Sequence, residues 1–424
     1  MSGLTVFRGG RLVDPAAARD ERADLAIDGE RIADAGSAGS DATVVDADGW
    51  VLMPGVIDLG ARLREPGESH KARIDTELLA AAAGGITAVC VPPDTRPVID
   101  SPSVVEWIQD RATAAGGAAV HVLGAMTEGL HGEALTPLGP LQRAGCPAVM
   151  DVGDRPLSPR LRRRILEYAD NFGLRVLVQA RETSLDADSI AHDGATATRL
   201  GLPASPVSAE TVAVAAWIEL VADTGVPVHF CRLSAARSCE LLRRAKADGL
   251  PVSADVAVHQ LFLSDEALDG YDAMAHVYPP LRDVSDRDAL RAAVADGTID
   301  AICSDHQPHE TDAKVNPLPL TQKGISGLDT LLALVWSLVD DGVLDASAAV
   351  RALSLAPARI LGLPEPDLAP GSTATLTAID TTADWTLTRE DMHSAGRNTP
   401  FAGHRFGARA VRTVIAGRTS WPRG

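Results

Sequence analysis

The chain has 424 residues, 46% of them hydrophobic, with five cysteines and a net charge of −18. That length is too great for one small domain, and the strong negative charge argues against nucleic acid or an anionic membrane as a partner. No apolar run reaches the length of a membrane span, the N-terminus lacks the zones of a signal peptide, and the cysteines are odd in number and scattered, so a reduced, cytoplasmic protein is expected.

In chain order, residues 1–52 read as short strands at 4–7, 11–13, 23–27, 31–35 and 43–46, with Gly9-Gly10, Asp28-Gly29 and Asp48-Gly49 as turn signals. From residue 53 to 364 the pattern changes to apolar strands alternating with amphipathic helices. Strand-like runs fall at 86–91, 118–123, 148–152, 175–179, 226–231, 252–258 and 301–303. Helix-like runs fall at 76–83, 103–115, 159–172, 209–224, 234–247 and 286–296. About eight such alternations predict an α/β fold built on a (β/α)8 TIM-like barrel. Short strands return at 373–379, 385–388 and 410–415, so residues 1–52 and 365–424 are expected to form a small β-sandwich beside the barrel at 53–364.

In such a barrel the chemistry sits at the C-terminal ends of the strands. The motifs there occur in a telling order. Met53-Pro-Gly-Val-Ile-Asp-Leu-Gly-Ala-Arg-Leu-Arg-Glu-Pro-Gly67 comes first, then Gly84-Gly85-Ile86-Thr87 and Pro93-Asp94-Thr95-Arg96-Pro97. Ala148-Val149-Met150-Asp151-Val152-Gly153, Val178-Gln179-Ala180-Arg181-Glu182 and Val228-His229-Phe230-Cys231-Arg232-Leu233-Ser234 follow. Tyr278-Pro279-Pro280-Leu281-Arg282, Ser304-Asp305-His306-Gln307-Pro308-His309 and Gly324-Ile325-Ser326-Gly327-Leu328-Asp329-Thr330 complete the series.

Over nearly its whole length this series resembles the class I dihydroorotases of the amidohydrolase superfamily. The resemblance implies a metal hydrolase with four histidine ligands and two carboxyl-type ligands. Here the four histidine positions are occupied by Gly60, Arg62, Ala180 and Arg232, and of the six only Asp151 and Asp305 remain. A catalytic zinc needs about three protein ligands, and fixed guanidinium charges repel it. No cofactor is therefore expected. Zinc enters only if Asp151 and Asp305 recruit His259, His306 or His309, residues that otherwise read as hydrogen-bonded pocket histidines.

The resemblance also makes Asp305 the counterpart of a proton-shuttling base and places Arg64 and His309 where a substrate carboxylate is held. Asp94 and Tyr278 replace two asparagines of that pocket, and Asp94 is expected to repel an anionic substrate. Arg62 and Arg232 either pair with Asp151 and Asp305 or build an anion pocket. His229 reads as a packed core residue, and Cys231 and Cys303 as apolar fillers. The segment 310–323 reads either as a docking segment or as an ordered lid over the mouth.

Three functions are compatible with these residues. The first, and the closest by resemblance, is a non-catalytic dihydroorotase-like subunit of pyrimidine biosynthesis that supports the assembly of aspartate carbamoyltransferase, in a homo- or hetero-oligomer. The second is an active cyclic amidase with an altered site, and the third is an anion-binding sensor using Arg62, Arg64 and Arg232.

Overall fold

A computed structural model describes residues 4–37 and 41–422. Strands Thr5–Asp14, Arg19–Asp28, Arg31–Ala33, Thr43–Asp46 and Trp50–Pro54 join Leu376–Asp380, Arg409–Ile415 and Arg418–Trp421 from the other end of the chain in one eight-stranded sheet. The two ends meet where Trp50–Pro54 pairs antiparallel with Leu376–Asp380. Phe7, Leu12, Leu25, Ile32, Leu52 and Leu376 give this unit a core of its own.

The expected break at Gly9-Gly10 is not a turn. Thr5–Asp14 is one strand whose register against Arg19–Asp28 slips between Phe7 and Gly10. Gly9 takes φ +75 there, the left-handed conformation that a bulge of this kind requires and that glycine adopts without a Cβ penalty.

The barrel begins immediately after. Its eight parallel strands are Val56–Asp58, Ile86–Val91, Ala119–Val122 (resuming at Gly124–Ala125), Ala148–Asp151, Arg175–Val178, Val228–Phe230, Val252–Ala257 and Ala301–Cys303. Each leads into a helix, respectively Ile74–Ala83, Pro102–Ala115, Leu138–Arg143, Pro159–Asp170, Ser208–Thr224, Ala236–Ala247, Val284–Ala295 and Leu331–Asp340. First and last strands close the ring through a parallel bridge between Ala61 and His306. Asp58 locks that seam by accepting from the Ser304 backbone at 2.9 Å and from its hydroxyl.

The strands are apolar on both faces because both are covered. Val89, Val149, Val176, Val228, Val256 and Ile302 pack in the large core with the helices. Their neighbours Cys90, Met150, Leu177, Cys231, Ala257 and Cys303 form the inner core of the barrel. The cysteines therefore serve as small apolar fillers, and all five are free thiols in buried positions.

At the N-terminal end of the barrel the helical run Ala346–Val350, Arg351–Leu355 and Ala356–Leu361 covers the ring, with the Ser354 hydroxyl donating to Gly55 O at 2.8 Å. The opposite end carries the long connections after the fifth and seventh strands. Ile190, Leu202, Leu268, Val277, Leu281 and Leu318 from these connections and from the segment after the eighth strand share one small core. The mouth is thus built from insertions, as binding sites of such barrels are. No helix among the described residues is long and apolar enough to cross a membrane.

Candidate functional site in the barrel mouth

Every strand end that the sequence singled out reaches the mouth, and three of its charged residues sit in the left-handed backbone region: Arg64 at φ 65, Arg232 at φ 54 and Asp305 at φ 44. For residues with a Cβ this conformation costs about 1–3 kcal/mol, so it persists only where the surroundings enforce it.

Arg232 decides the character of the site. Its guanidinium is buried, with Nη2 donating to Gln179 Oε1 at 2.6 Å and Nε 3.5 Å from Asp305 Oδ1. It fills the space that the missing side chain at Gly60 leaves, since a Cβ there would stand 3.3 Å from Arg232 Nη1. Arg62 approaches the same carboxylate from the other side, with Nη1 3.4 Å from Asp305 Oδ1 and Nε 2.7 Å from Asp94 Oδ2. Gln307 donates to the second oxygen of Asp305 at 3.0 Å. Asp305 is therefore contacted by two cations and an amide. Burial works against the charge on Arg232, but Asp305 and other nearby acidic groups outweigh it and hold the guanidinium firmly protonated.

Two expectations change here. Asp151 pairs with neither arginine. Its one hydrogen-bond partner among the described residues is the Gly153 backbone at 3.2 Å, and burial pushes its carboxyl up to about 6. Asp94 does not stand as a free negative charge in the pocket, because Arg62 neutralises it. Burial raises the Asp94 carboxyl, yet Arg62, Arg64 and Arg232 together hold it below the usual range. These partners come from strand ends up to 243 residues apart, so only folding reveals them.

The fit of a metal can be judged from these contacts. Asp305 already faces two guanidinium groups and an amide, Asp151 pairs with neither arginine, and Gly60 and Ala180 carry no ligand atoms. Among the described residues, the metal-capable trios are His229–Cys231–Asp255 and His192–Asp283–Asp286, and neither includes Asp151 or Asp305. In the first, His229 Nε2 is 2.9 Å from Asp255 Oδ2 and Nδ1 is 2.9 Å from the Ser253 hydroxyl, so both ring nitrogens are engaged in hydrogen bonds. His229 is the packed core residue that the sequence suggested. The mouth does not fit the binuclear centre that the resemblance implies.

The histidines weighed as replacement ligands are also committed or isolated. His306 is fully buried, with Nε2 2.9 Å from Glu77 Oε2 and Nδ1 accepting from Gly327 N at 3.1 Å. His309 Nε2 lies 2.9 Å from Lys323 O and 3.1 Å from Arg64 Nη2, and burial followed by the charge of Arg64 pushes its pKa down to about 2. His259 alone has two unpartnered ring nitrogens, held neutral by burial with a pKa of about 4.

Above this buried layer lies a cavity of about 460 Å³. Arg62, Arg64, Asp94, Tyr278 and His309 all line it, so four pocket residues expected from the sequence do meet in one place. Arg64 is already occupied: it donates to Pro308 O at 3.0 Å and to Glu68 Oε2 at 3.1 Å. Tyr278 turns its hydroxyl to Asp186 Oδ2 at 3.0 Å and lies under Arg181, whose guanidinium carbon is 4.3 Å from the ring centroid.

Segment 310–323 forms one rim of the cavity. Lys314 pins it by donating to Gln322 O at 2.7 Å and to Ala273 O at 3.0 Å, and the Thr321 hydroxyl meets His276 Nδ1 at 2.8 Å. Its inner end, Thr321 to Lys323, lines the cavity, while Val315 and Leu320 on the outer side are each 69% exposed. Gln179, Gln307 and Lys323 are the site residues that sequence reasoning passed over. Gln179 and Gln307 carried a signal, each lying inside a quoted motif, whereas Lys323 carried none beyond ending the segment 310–323.

Comparison with known proteins agrees with the fold and with the family resemblance. A dihydroorotase-like protein of Pseudomonas aeruginosa is 46% identical over 97% of this chain and 98% of its own length. The chain belongs to the dihydroorotase-like family of the amidohydrolase superfamily. Residues 49–238 match the Dihydro-orotase-like family model. A dihydroorotase-like protein of Pseudomonas putida is 44% identical over 96% of this chain and 97% of its own. A dihydroorotase of Geotalea daltonii is 39% identical over 98% of this chain and 99% of its own. Among solved structures, L-hydantoinase (dihydropyrimidinase) from Arthrobacter aurescens superposes with a TM-score of 0.87 at 20% identity, covering 99% of this chain and 96% of the other. At that identity the likeness concerns the fold, and it places this family member among barrels with a β-rich terminal domain.

Proposed function

We propose that this protein is a non-catalytic member of the dihydroorotase-like family that serves pyrimidine biosynthesis as an assembly partner of aspartate carbamoyltransferase. The observation that carries the first half is the Arg62–Asp305–Arg232 cluster. In a metal hydrolase of this type the ion generates hydroxide and polarises the amide carbonyl. Here two guanidinium groups stand against the residue that would have to bind the ion or shuttle protons, and both lie within ion-pair distance of its carboxylate. Changing one residue does not restore the site, because Gly60, Arg62, Ala180 and Arg232 would all have to change.

The partner role is carried over from the sequence resemblance to dihydroorotase-like subunits associated with that carbamoyltransferase. The outer side of segment 310–323, with Val315 and Leu320 exposed, supplies apolar area of the kind an interface uses. An assay of purified protein with dihydroorotate and with carbamoyl aspartate tests the first half, and turnover at rates of a working hydrolase with stoichiometric zinc would overturn it in favour of an active cyclic amidase. Co-purification with the carbamoyltransferase catalytic chain tests the second. The expected result is a complex weakened by Val315→Ser with Leu320→Ser, and no association in either form would contradict it.

The cationic lining of the mouth favours one further reading, an anion-binding sensor.

A further inference from the structure

We propose that the mouth binds a compact polyanion, carrying phosphate or several carboxylates, and that Lys323 and Arg96 hold it in front of Tyr278 and Arg181. The inference deepens the sensor reading and rests on the mouth being free of a catalytic metal. It differs from the sequence-based version of that reading in which residues do the binding.

Charge balance is the first observation. The cavity wall carries six cationic side chains (Arg62, Arg64, Lys71, Arg96, Arg181 and Lys323) against three carboxylates (Glu68, Asp94 and Asp154). The chain as a whole has 57 acidic and 39 basic side chains, so this local excess runs against the trend of the molecule. A cavity lined by one sign of charge concentrates ions of the opposite sign.

The second observation is which donors remain. Arg62 is used by Asp94 and Asp305, Arg64 and Lys71 share Glu68, and Arg232 lies beneath the cavity on Asp305 and Gln179. Arg181 spends Nε on Asp186 at 2.8 Å and reaches the exposed Asp154 only at 3.4 Å. Lys323 has three N–H donors and uses one, to Ser189 O at 3.0 Å, with no carboxylate within ion-pair distance among the described residues. Arg96 makes no side-chain hydrogen bond or ion pair among the described residues, and its charge acts on Glu68 only at longer range.

The third observation is the crowding of Lys323 and Arg181 on one ring. Lys323 Nζ is 5.1 Å and the Arg181 guanidinium carbon 4.3 Å from the Tyr278 centroid. Burial and then the charge of Arg181 hold the Lys323 ammonium below its ordinary pKa. Two partly desolvated cations on one aromatic ring repel each other, and a bound anion relieves both. Charge-assisted hydrogen bonds from Lys323 and Arg96 then supply orientation as well as attraction. With Arg232, Asp305 and Asp186 counted beneath the wall, seven cations face five carboxylates, and a dianion matches that excess of two better than a single carboxylate does.

The test is isothermal titration calorimetry of the full-length protein, in chelator, with three probes: inorganic pyrophosphate, citrate and chloride. Saturable binding of pyrophosphate or citrate but not chloride is expected, and whichever of the two binds more tightly separates a phosphate ligand from a polycarboxylate. Lys323→Gln should weaken binding about tenfold or more, as loss of a charge-assisted bond does, while Lys323→Arg keeps most of it and Arg359→Gln on the opposite end of the barrel changes nothing. Thermal unfolding of each unliganded variant shows that it is folded. Absence of saturable binding in folded wild type, or equal affinity in Lys323→Gln, overturns the inference. Binding that appears only when zinc replaces chelator would instead overturn the metal-free reading on which it rests.

Discussion

Gly60 and Arg232 face each other in the barrel mouth so closely that a Cβ on residue 60 would stand 3.3 Å from Arg232 Nη1. The absence of a side chain at one position is what gives the guanidinium at the other its room. The two replacements are therefore structurally coupled, and putting back one histidine alone should do harm.

Gly60→His should lower stability by about 1–3 kcal/mol, the usual cost of forcing extra volume into a packed site. Combining it with Arg232→His should recover part of that loss. Urea unfolding of the two single variants and the double variant measures the coupling. Strict additivity would show that the two positions do not share the space.

Arg232→Leu should be the more damaging change. It leaves Asp305 with one cation where it had two and strips Gln179 of its partner, and breaking a buried ion pair from one side costs about 3–5 kcal/mol. In an Asp305→Asn background the same substitution should cost less, because the uncompensated charge is gone. Equal losses in both backgrounds, again by urea unfolding, would contradict the pairing.

Asp151 gives a pH signature. Its carboxyl titrates near 6 in the folded chain, above the value of about 4 expected when unfolded, because burial disfavours the ionised form. The stability it contributes is full below the unfolded value and is lost as pH climbs through about 6. Asp151→Asn should remove that slope and make the protein about 1–3 kcal/mol more stable than wild type at pH 7. Stability curves measured from pH 4 to 7.5 check this, and parallel curves for the two proteins would count against it.

Lys314 fastens the segment over the mouth through backbone carbonyls on both its own loop and the connection at Ala273. Lys314→Met should leave the barrel folded but release the segment, so that limited proteolysis cuts within 310–323 at least several times faster than in wild type. An unchanged cleavage rate would show that the segment is held by its apolar contacts instead.

The barrel was legible in the sequence because most strands are apolar runs, several ending at a motif, and six of the following helices have their own periodicity, while Leu138–Arg143 and Leu331–Asp340 gave no such signal. The loss of the four histidine positions was equally plain. Partners across the barrel were not. Asp94 looked like a charge set against an anion and instead serves Arg62. Asp151 looked like a partner for an arginine and stands alone. Nothing local in the chain announces that Lys323 will arrive beside Tyr278, since that contact depends on how the segment after the eighth strand folds back. Composition had a similar limit: Gly9-Gly10 is a turn signal by residue type, and the register of the neighbouring strand turned it into a bulge.

The central claim is that guanidinium groups have taken the place of the catalytic metal. Elemental analysis of freshly purified protein, never exposed to chelator and dialysed against metal-free buffer, tests it most directly. Zinc, manganese, iron and other transition metals should each be far below one ion per chain. One or two tightly held ions per chain, retained through dialysis, would contradict the account.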